Sequence, residues 1–334
     1  MAVKPLNIAI FEATNLIGKE LRKFLPDSGI PVNTMKFFGE GKSLGKIAEF
    51  EAEPMLVQEL DEDLYRFLDV LFLCDVFEGL DSFRSGEKTS DGPIIFDLAG
   101  ASDPDLKAGR FVVDVKEPDA SKGRRHFASP DAASVLLSSA LKPLADKLEI
   151  SSVHAVVFRP VSDFGEKGID ELYKQTLGLL NMETVPVETL SRRIAFDLCP
   201  SSGTGGKPGA DYLRVEKELR LLLPDGAWNF EMTSFLPPVF YGLSALLTIE
   251  GKKFPTAKKV EKLLGAVPNL SVQPTSEPPS PGRIEDNDGI FITVLPTADP
   301  RRTIKCWIAG DNLRRGCVLN AIEILERYLA RING

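Results

Sequence analysis

Residues 6–24 have the sequence LNIAIFEATNLIGKELRKF, and this stretch decides the fold of the first part of the chain. The run Leu6–Phe11 is continuously apolar, as is typical of a parallel strand buried on both faces. In Leu16–Phe24 the apolar residues recur at helical spacing. The stretch therefore predicts a strand, a short loop and a helix, the opening unit of a doubly wound α/β domain.

Further strand-like runs follow this unit, separated by segments of helix or loop length. They are Thr34–Phe38, Val70–Cys74, Ile94–Asp97 and Phe111–Val113. Because strands that alternate with crossover segments form parallel sheets, we expect a Rossmann-type doubly wound sheet here.

The pattern changes after a predicted helix at Ala133–Lys147 and becomes rich in longer strands. Two Gly- and Pro-rich segments, residues 201–209 and 273–289, are predicted loops. Trp228–Ser234 and Pro238–Leu247 are predicted strands that can pair with each other. The other predicted strands are Ser152–Arg159, Ile290–Leu295 and Thr303–Ala309, and the other predicted helices are Gly168–Leu180, Ala210–Leu223, Thr256–Leu264 and a final one from Leu313 to Ile332. This part of the chain is predicted to be a separate α+β domain.

Charge and composition narrow the classes of function. The 334 residues include 40 Lys and Arg against 48 Asp and Glu, a net charge of −8, so we expect no nucleic-acid partner. No stretch approaches the ~18 apolar residues of a membrane span, and the N-terminus has no leader pattern, so we expect no membrane association and a cytoplasmic protein. Four cysteines without a CxxC pair indicate neither a disulfide framework nor a metal site.

The segment Asp311-Asn312-Leu313-Arg314-Arg315-Gly316, followed by Asn320, Ala321 and Glu326, resembles the closing helix of aspartate-semialdehyde dehydrogenases. Six further motifs of that family occur in the same order, at residues 12–18, 42–46, 129–132, 161–165, 194–197 and 238–244. The resemblance covers essentially the whole chain. It implies an N-terminal Rossmann-type sheet completed by the C-terminal helix, with a second α+β dimerisation domain. The implied domains are 1–132 with 311–334, and 133–310, and the implied assembly is a homodimer.

The resemblance also identifies the positions that carry the family's chemistry. There a cysteine thiolate attacks the aldehyde, hydride passes to NADP, phosphate cleaves the acyl-enzyme, and a histidine acts as acid and base. The cysteine position is Ala132 here and the histidine position is Leu243, so neither can make or break those bonds. The supporting positions have changed too: a glutamine falls at Arg159, a substrate-binding arginine at Leu236, and the charged motif of the substrate helix at Asp211 and Arg214.

The family's glycine-rich cofactor loop is altered in the same way. Its first glycine is Glu12 and its second is Asn15, while Gly18 remains. A carboxylate ~4 Å from the cofactor phosphates would repel each charge by about 4 kcal/mol at an effective dielectric near 20. We therefore expect NADP to bind weakly or not at all, with Thr14 serving as the N-cap of the first helix. The implied, degenerate cofactor positions are Glu12, Thr14, Asn15, Leu16, Ile17, Gly18, Lys42, Ser43, Ser162, Gly165 and Asn320. A small anionic ligand stays open through the charges of Lys42, Lys46, Arg314 and Arg315.

Other potential nucleophiles and bases are interpreted as structural. Cys74, at the end of a predicted strand, is the best surrogate thiol, but a buried packing role is expected for it and for Cys306 and Cys317. His126 is expected to be a solvated loop residue, and His154 a core or interface residue.

The sequence leaves three alternative functions open. The first is a catalytically inactive family member with a binding, assembly or regulatory role. The second is an active NAD(P)-dependent oxidoreductase that acts on an aldehyde or acyl phosphate, in amino-acid biosynthesis, with an unrecognised set of residues. The third is a sensor of a small anion or nucleotide.

Overall fold

The computed structural model describes residues 4–77, 92–100, 109–118, 123–201, 210–284 and 287–333. They form two compact units, the first made of Met1–Pro130 with Cys317–Gly334 and the second of Asp131–Gly316. The division predicted from the sequence, at 132/133 and 310/311, stays a prediction. Most of the predicted loop at 201–209 lies outside the described residues.

The first unit is a seven-stranded sheet with helices. Its strands are β1 (Leu6–Phe11), β2 (Val32–Phe38), β3 (Ile47–Phe50), β4 (Glu53–Gln58), β5 (Val70–Leu73), β6 (Ile94–Asp97) and β7 (His126–Ala128). Its described helices are α1 (Leu16–Phe24), α2 (Glu62–Phe67) and the C-terminal helix α8 (Leu319–Asn333), and a 3₁₀ turn occupies Gly41–Ser43. The sheet order is β3-β4-β2-β1-β5-β6-β7, parallel throughout except for the β3–β4 pair. The Rossmann-type fold is confirmed.

One predicted strand of this unit is wrong. Phe111–Val113 forms no strand, because the chain turns at Asp114, whose φ is +63°, and only an isolated bridge joins Val112 to Lys116. The outermost strand of the sheet is β7, which the sequence did not indicate. By contrast, the predicted bounds of β1 and α1 agree with the structure residue for residue.

The second unit is built on another seven-stranded sheet. Its strands are β8 (Ile150–Phe158), β9 (Cys199–Pro200), β10 (Asn229–Leu236), β11 (Leu243–Gly251), β12 (Leu270–Val272), β13 (Ile290–Leu295) and β14 (Thr303–Gly310). Its helices are α3 (Ala132–Ala145), α4 (Gly165–Leu180), α5 (Ala210–Leu222), α6 (Ala257–Leu264) and the short α7 (Pro281–Ile284). A 3₁₀ turn occupies Val161–Phe164, and a π-helical turn at Arg314–Val318 covers the end of this unit and the start of the last segment of the first.

Strand β8 is an interior strand of this sheet, whose order is β12-β13-β14-β11-β8-β10-β9. The expectation that the segments of β10 and β11 pair with each other is wrong, because β8 lies between them, parallel to β10 and antiparallel to β11. On β8, Val153, Ala155 and Val157 are fully buried or nearly so, whereas Val156 and Phe158 on the opposite face are half-buried. The two faces of the sheet therefore differ: one is a closed core, and the other is partly open.

Among the described residues, no helix combines the length and apolarity needed to cross a bilayer.

Candidate functional site

In the second unit, helix α3 begins at Ala132, the position that resembles the family's nucleophile. Asp131 is its N-cap, and one of its carboxylate oxygens accepts a hydrogen bond from the backbone N–H of Ala133 at 2.9 Å. Gly316 packs so closely here that a Cβ at that position would lie 2.8 Å from the Cβ of Ala132. The first residue of α3 thus presents only a methyl group, in a closely packed setting.

The guanidinium of Arg159 is surrounded by three carboxylates of its own unit. Its Nη2 lies 3.0 Å from Asp131 Oδ1, its Nη1 lies 3.0 Å from Asp163 Oδ2, and its Nε lies 3.3 Å from Asp211 Oδ2. Only 4% of the Arg159 side chain is exposed. Strand β8, the 3₁₀ turn after it, the start of α3 and the start of α5 are joined in this way by one side chain. We call Arg159 with Asp131, Asp163 and Asp211 the arginine cluster.

A second, partly buried ion pair continues the arginine cluster along α5. Arg214 Nε lies 3.2 Å from Glu218 Oε1, and the side chain of Glu218 is fully buried. The other oxygen of Glu218 accepts hydrogen bonds from the backbone N–H of Asp131 and from the hydroxyl of Ser134, both at 2.7 Å. Glu218 therefore links α5, the helix that carries Asp211 and Arg214, to the start of α3.

Burial and charge shift the pKa values inside the arginine cluster in different directions. Burial raises the pKa of Asp163 to about 6, although Arg159 opposes the shift. Burial also acts to raise the pKa of Asp131, but Arg159 and Arg214 outweigh it and hold this pKa below its ordinary value. Burial disfavours the charge of Arg159, yet the three carboxylates raise its pKa above the ordinary value, so the guanidinium stays ionised.

The positions that resemble the family's histidine and substrate arginine are apolar and buried. Leu243 is fully buried, and Leu236 is 4% exposed within the small core between α4 and β10. Nearby polar contacts belong to Asn312, whose Nδ2 donates to Asp163 Oδ1 at 2.9 Å and to the Ser162 hydroxyl at 3.0 Å. Its Oδ1 accepts from the backbone N–H of Gly242 at 3.1 Å. Gly165 has a φ of +70°, which suits a residue without a side chain at the junction between the 3₁₀ turn and α4.

In the first unit, the side chain of Glu12 turns toward the segment that follows β2. One carboxylate oxygen accepts hydrogen bonds from the Ser43 hydroxyl at 2.5 Å and from the backbone N–H of Glu40 at 2.8 Å. Glu12 adopts φ +58°, the left-handed region that favours glycine, the residue that the family resemblance places at this position. The end of the second strand is where doubly wound domains hold the ribose of a dinucleotide. The carboxylate thus binds donors on that side of the loop.

Asn15 closes the other end of the same loop. Its Oδ1 accepts from the N–H of Gly18 at 2.8 Å, and its Nδ2 donates to the carbonyl of Cys74 at 2.7 Å. Asn15 is therefore the N-cap of α1, and the prediction that Thr14 is the cap is wrong, because the asparagine amide reaches both partners. Gly18 remains glycine for packing, since a Cβ there would lie 2.6 Å from the carbonyl oxygen of Glu12.

This loop does not fit the phosphate groups of a dinucleotide such as NADP. The Ser43 hydroxyl and the Glu40 N–H already donate to a carboxylate, and the N–H of Gly18 is already capped. An incoming phosphate would have to displace a group of its own charge sign. Leu16 and Ile17 open α1 as the sequence predicts.

The remaining predicted ligand residues do not come together in one unit. Lys42 and Lys46 are exposed residues of the first unit, whereas Arg314 and Arg315 are buried residues of the second, where the Arg315 Nε donates to the Asp288 carbonyl at 2.7 Å. Asn320, in the first unit, accepts from the Val113 N–H and donates to the Phe111 carbonyl, both at 3.0 Å. Both ends of its amide are therefore used by the chain.

The cysteines are buried as expected. Cys74, Cys306 and Cys317 are all less than a tenth exposed, and burial raises the pKa of Cys74 well above its ordinary value and that of Cys306 to about 12. Such thiols are poor nucleophiles because little thiolate is present at neutral pH.

One histidine differs from expectation. His126 is not a solvated loop residue, because it begins β7 and is half-buried. His154, expected in the core or an interface, is not in the core, because it lies on the open face of β8 and is exposed, and the interface alternative stays a prediction. His154 is exposed because burial alternates along β8 and His154 lies on its less buried face. Strand β7 has only three residues, too few to show a strand pattern in the sequence.

Comparison with known proteins was made after these observations. The family described as "Semialdehyde dehydrogenase, dimerisation domain" matches residues 141–315. The aspartate-semialdehyde dehydrogenase of Rickettsia conorii is 26% identical over 98% of both chains, and that of Aquifex aeolicus is 26% identical over 96% of both. A USG-1 protein homolog of Azotobacter vinelandii is 27% identical over 96% of this chain and 97% of its own.

Solved structures show the same fold. The aspartate semialdehyde dehydrogenase II of Vibrio cholerae, complexed with ASA, matches with a TM-score of 0.87 at 24% identity, over 98% of this chain and 99% of its own. The Candida albicans enzyme with NADP matches with a TM-score of 0.69 at 14% identity, over 97% of this chain and 99% of its own. Both likenesses concern the fold alone at these identities.

Proposed function

The chain belongs to the semialdehyde dehydrogenase family, and on that premise we propose that it is a catalytically inactive homologue of aspartate-semialdehyde dehydrogenase. Its role is then binding, assembly or regulation. The fold persists while the residues at the positions of the family's chemistry serve internal contacts.

The arginine cluster is the observation that carries this proposal. A guanidinium that could hold an anionic substrate instead lies at ion-pair distance from three carboxylates of its own chain, and it is 4% exposed. A substrate carboxylate or phosphate would have to displace one of them. Beside the cluster, the first residue of α3 is Ala132, whose methyl group cannot form an acyl link.

The size of the expected loss follows from the missing groups. Loss of a catalytic nucleophile costs a factor of ~10⁴ or more, about 5 kcal/mol of barrier. The four cysteines of the chain are all buried, so none offers an exposed thiolate in place of Ala132. For this reason we favour inactivity over an active oxidoreductase with an unrecognised set of residues.

For the cofactor, we propose that NADP binds weakly or not at all. The support is the pair of hydrogen bonds that Glu12 accepts from the Ser43 hydroxyl and the Glu40 N–H. For the assembly, we propose a homodimer built by the second unit, since the matched dimerisation domain covers most of that unit. The partly open face of β8 supplies apolar residues for such contact.

The activity is tested by following reduced-cofactor absorbance with aspartate semialdehyde, phosphate and NADP, beside an authentic family enzyme. We expect no turnover above background. Adding Ala132→Cys with Leu243→His should restore very little, because Arg159 and Leu236 still leave the substrate unheld and misplacement alone costs ~10²-fold. Wild-type turnover within tenfold of the authentic enzyme would refute the proposal.

A further inference from the structure

A group of exposed cations gathers where strand β11 ends and strand β14 begins. These two strands are antiparallel, and Glu250 pairs with Thr303, so the segment after β11 and the turn before β14 lie side by side. Each cation of the group is exposed. We call the group the basic surface, and its members are Lys252, Lys253, Lys258, Lys259, Lys262, Arg301 and Arg302.

The basic surface is held on a rigid frame. The N–H of Gly251 donates to the Arg302 carbonyl at 3.0 Å, and the N–H of Phe254 donates to the Arg301 carbonyl at 2.6 Å. Phe254 is 5% exposed and anchors the turn between β11 and α6. Helix α6 buries Val260 and Leu264 in the unit, so its lysines remain on the solvent side. The backbone that carries the cations is therefore held in place, and their side chains extend into solvent.

The charges of the basic surface are only partly balanced by the chain, which places Glu261 among the lysines of α6 and Asp299 beside the backbone N–H of Arg301. Within the described part of the molecule, Lys252 is the one member at ion-pair distance from a carboxylate, 3.6 Å from Glu149, and both of those side chains are more than four-fifths exposed. Lys258 and Lys259 occupy the first turn of α6, where no acidic residue is present. Positive charge at a helix N-terminus opposes the helix dipole, so this placement lowers stability rather than raising it.

We propose that the basic surface binds the sugar–phosphate backbone of a nucleic-acid duplex, without sequence preference. Lysine ammonium groups are point charges suited to phosphate oxygens. Protein interfaces are depleted in lysine and depend on buried aromatic or apolar anchors, and the aromatic ring of this segment, Phe254, is buried. Insertion into a lipid surface needs a free apolar helix face, but Val260 and Leu264 of α6 already pack inside the unit.

The net charge of −8 does not oppose this inference at physiological salt. There the Debye length is about 8 Å, so carboxylates farther than that from the basic surface are largely screened. Local charge then governs contact with a phosphate backbone, whereas the chain total led us to expect no such partner. The inference is independent of whether the protein is an active enzyme.

The test is fluorescence anisotropy of a labelled DNA duplex titrated with the full-length protein. We expect a Kd of about 10⁻⁶–10⁻⁴ M at physiological salt, tighter at roughly 50 mM salt. The variant K258E/K259E/K262E should weaken binding at least about tenfold at the lower salt. It should also reduce the slope of log K against log salt by about 3, because each phosphate contact contributes roughly 0.9.

A matched control removes the effect of net charge. The variant K4E/K23E/K167E changes the same number of exposed lysines outside the basic surface, and it should bind the duplex within about threefold of wild type. Thermal unfolding of each variant is recorded, and K258Q/K259Q/K262Q replaces the charge reversal if that variant unfolds at a lower temperature.

Three results would overturn the proposal. The first is no wild-type binding up to about 100 μM at roughly 50 mM salt, and the second is an equal loss in the control variant. The third is binding to phosphatidylserine vesicles, lost in K258E/K259E/K262E, without binding to the duplex, which would assign the surface to membranes.

Discussion

Replacing Arg159 by glutamine should destabilise the second unit strongly. The substitution restores the residue type that the family resemblance places here, yet it leaves Asp131, Asp163 and Asp211 with no guanidinium between them. At an effective dielectric near 20, each ion pair at 3.0–3.3 Å contributes about 5 kcal/mol of attraction. Desolvation and mutual repulsion of the carboxylates offset most of this attraction. Removal of one partner from a buried ion pair costs ~3–5 kcal/mol, which is the loss of unfolding free energy that we expect.

The two tryptophans make the assay specific for this unit. Trp228 and Trp307 are the two tryptophans of the chain, and both lie in the second unit. Intrinsic tryptophan fluorescence during urea unfolding therefore reports on the unit that contains Arg159. The variant K174Q is the control, because Lys174 and its partner Asp170 are both more than half exposed, and it should leave the midpoint unchanged.

A double substitution separates lost charge balance from lost packing. Neutralising one carboxylate in R159Q/D163N removes an uncompensated charge, so the double variant should be more stable than R159Q alone. An unfolding free energy of R159Q within about 1 kcal/mol of that of the wild type would refute the reasoning, because other groups would then compensate the carboxylates. Equal urea midpoints for R159Q and R159Q/D163N would also refute the reasoning.

Three further outcomes are expected. In titration calorimetry the wild type should bind NADP with a Kd in the millimolar range at best. The variant E12G/N15G should strengthen binding, by up to ~10³-fold if the charge of Glu12 dominates. A micromolar Kd for the wild type would refute the proposal of weak cofactor binding. Since burial raises the pKa of Asp163 to about 6, the folded state binds this proton more tightly than the unfolded state. The contribution of Asp163 to the unfolding free energy of the second unit should therefore fall by about 2 kcal/mol as pH rises from about 4 to 6, and D163N should lack this decrease in the tryptophan assay. Sedimentation equilibrium should give a dimer at micromolar concentration. The variant L246E, on the partly open face of the second sheet, should shift this equilibrium toward monomer. A monomeric wild type would refute the proposed homodimer.

Local sequence signals predicted most of the elements but not the arginine cluster. The apolar run Leu6–Phe11 and the periodic Leu16–Phe24 carry their own structure, because burial and helical spacing are properties of neighbouring residues. The resemblance to a family drew attention to Arg159, and Asp163 lies only four residues from it, yet Asp131 and Asp211 come from distant parts of the chain. No local pattern brings such residues together, so only the folded structure reveals that they neutralise one guanidinium.

The hairpin of β3 and β4 was also missed, because strands this short with mixed polarity have no clear period. Glu12 was expected to repel phosphates directly. The structure instead places its carboxylate on the donors of Glu40 and Ser43, a contact between positions far apart in sequence. Backbone conformation, a φ of +58° at Glu12, directs the side chain and cannot be read from residue type alone.

The first unit is discontinuous, and this has a consequence for synthesis on the ribosome. Its core includes Val318, Ile322, Leu325 and Leu329, which are translated only after the whole second unit. At about 5–20 residues per second, the intervening segment takes roughly 10–40 s to emerge. During that interval the nascent sheet exposes the apolar surface that helix α8 later covers, while the continuous second unit can complete its own fold. The nascent first unit therefore needs protection from aggregation until the segment that contains helix α8 has been translated.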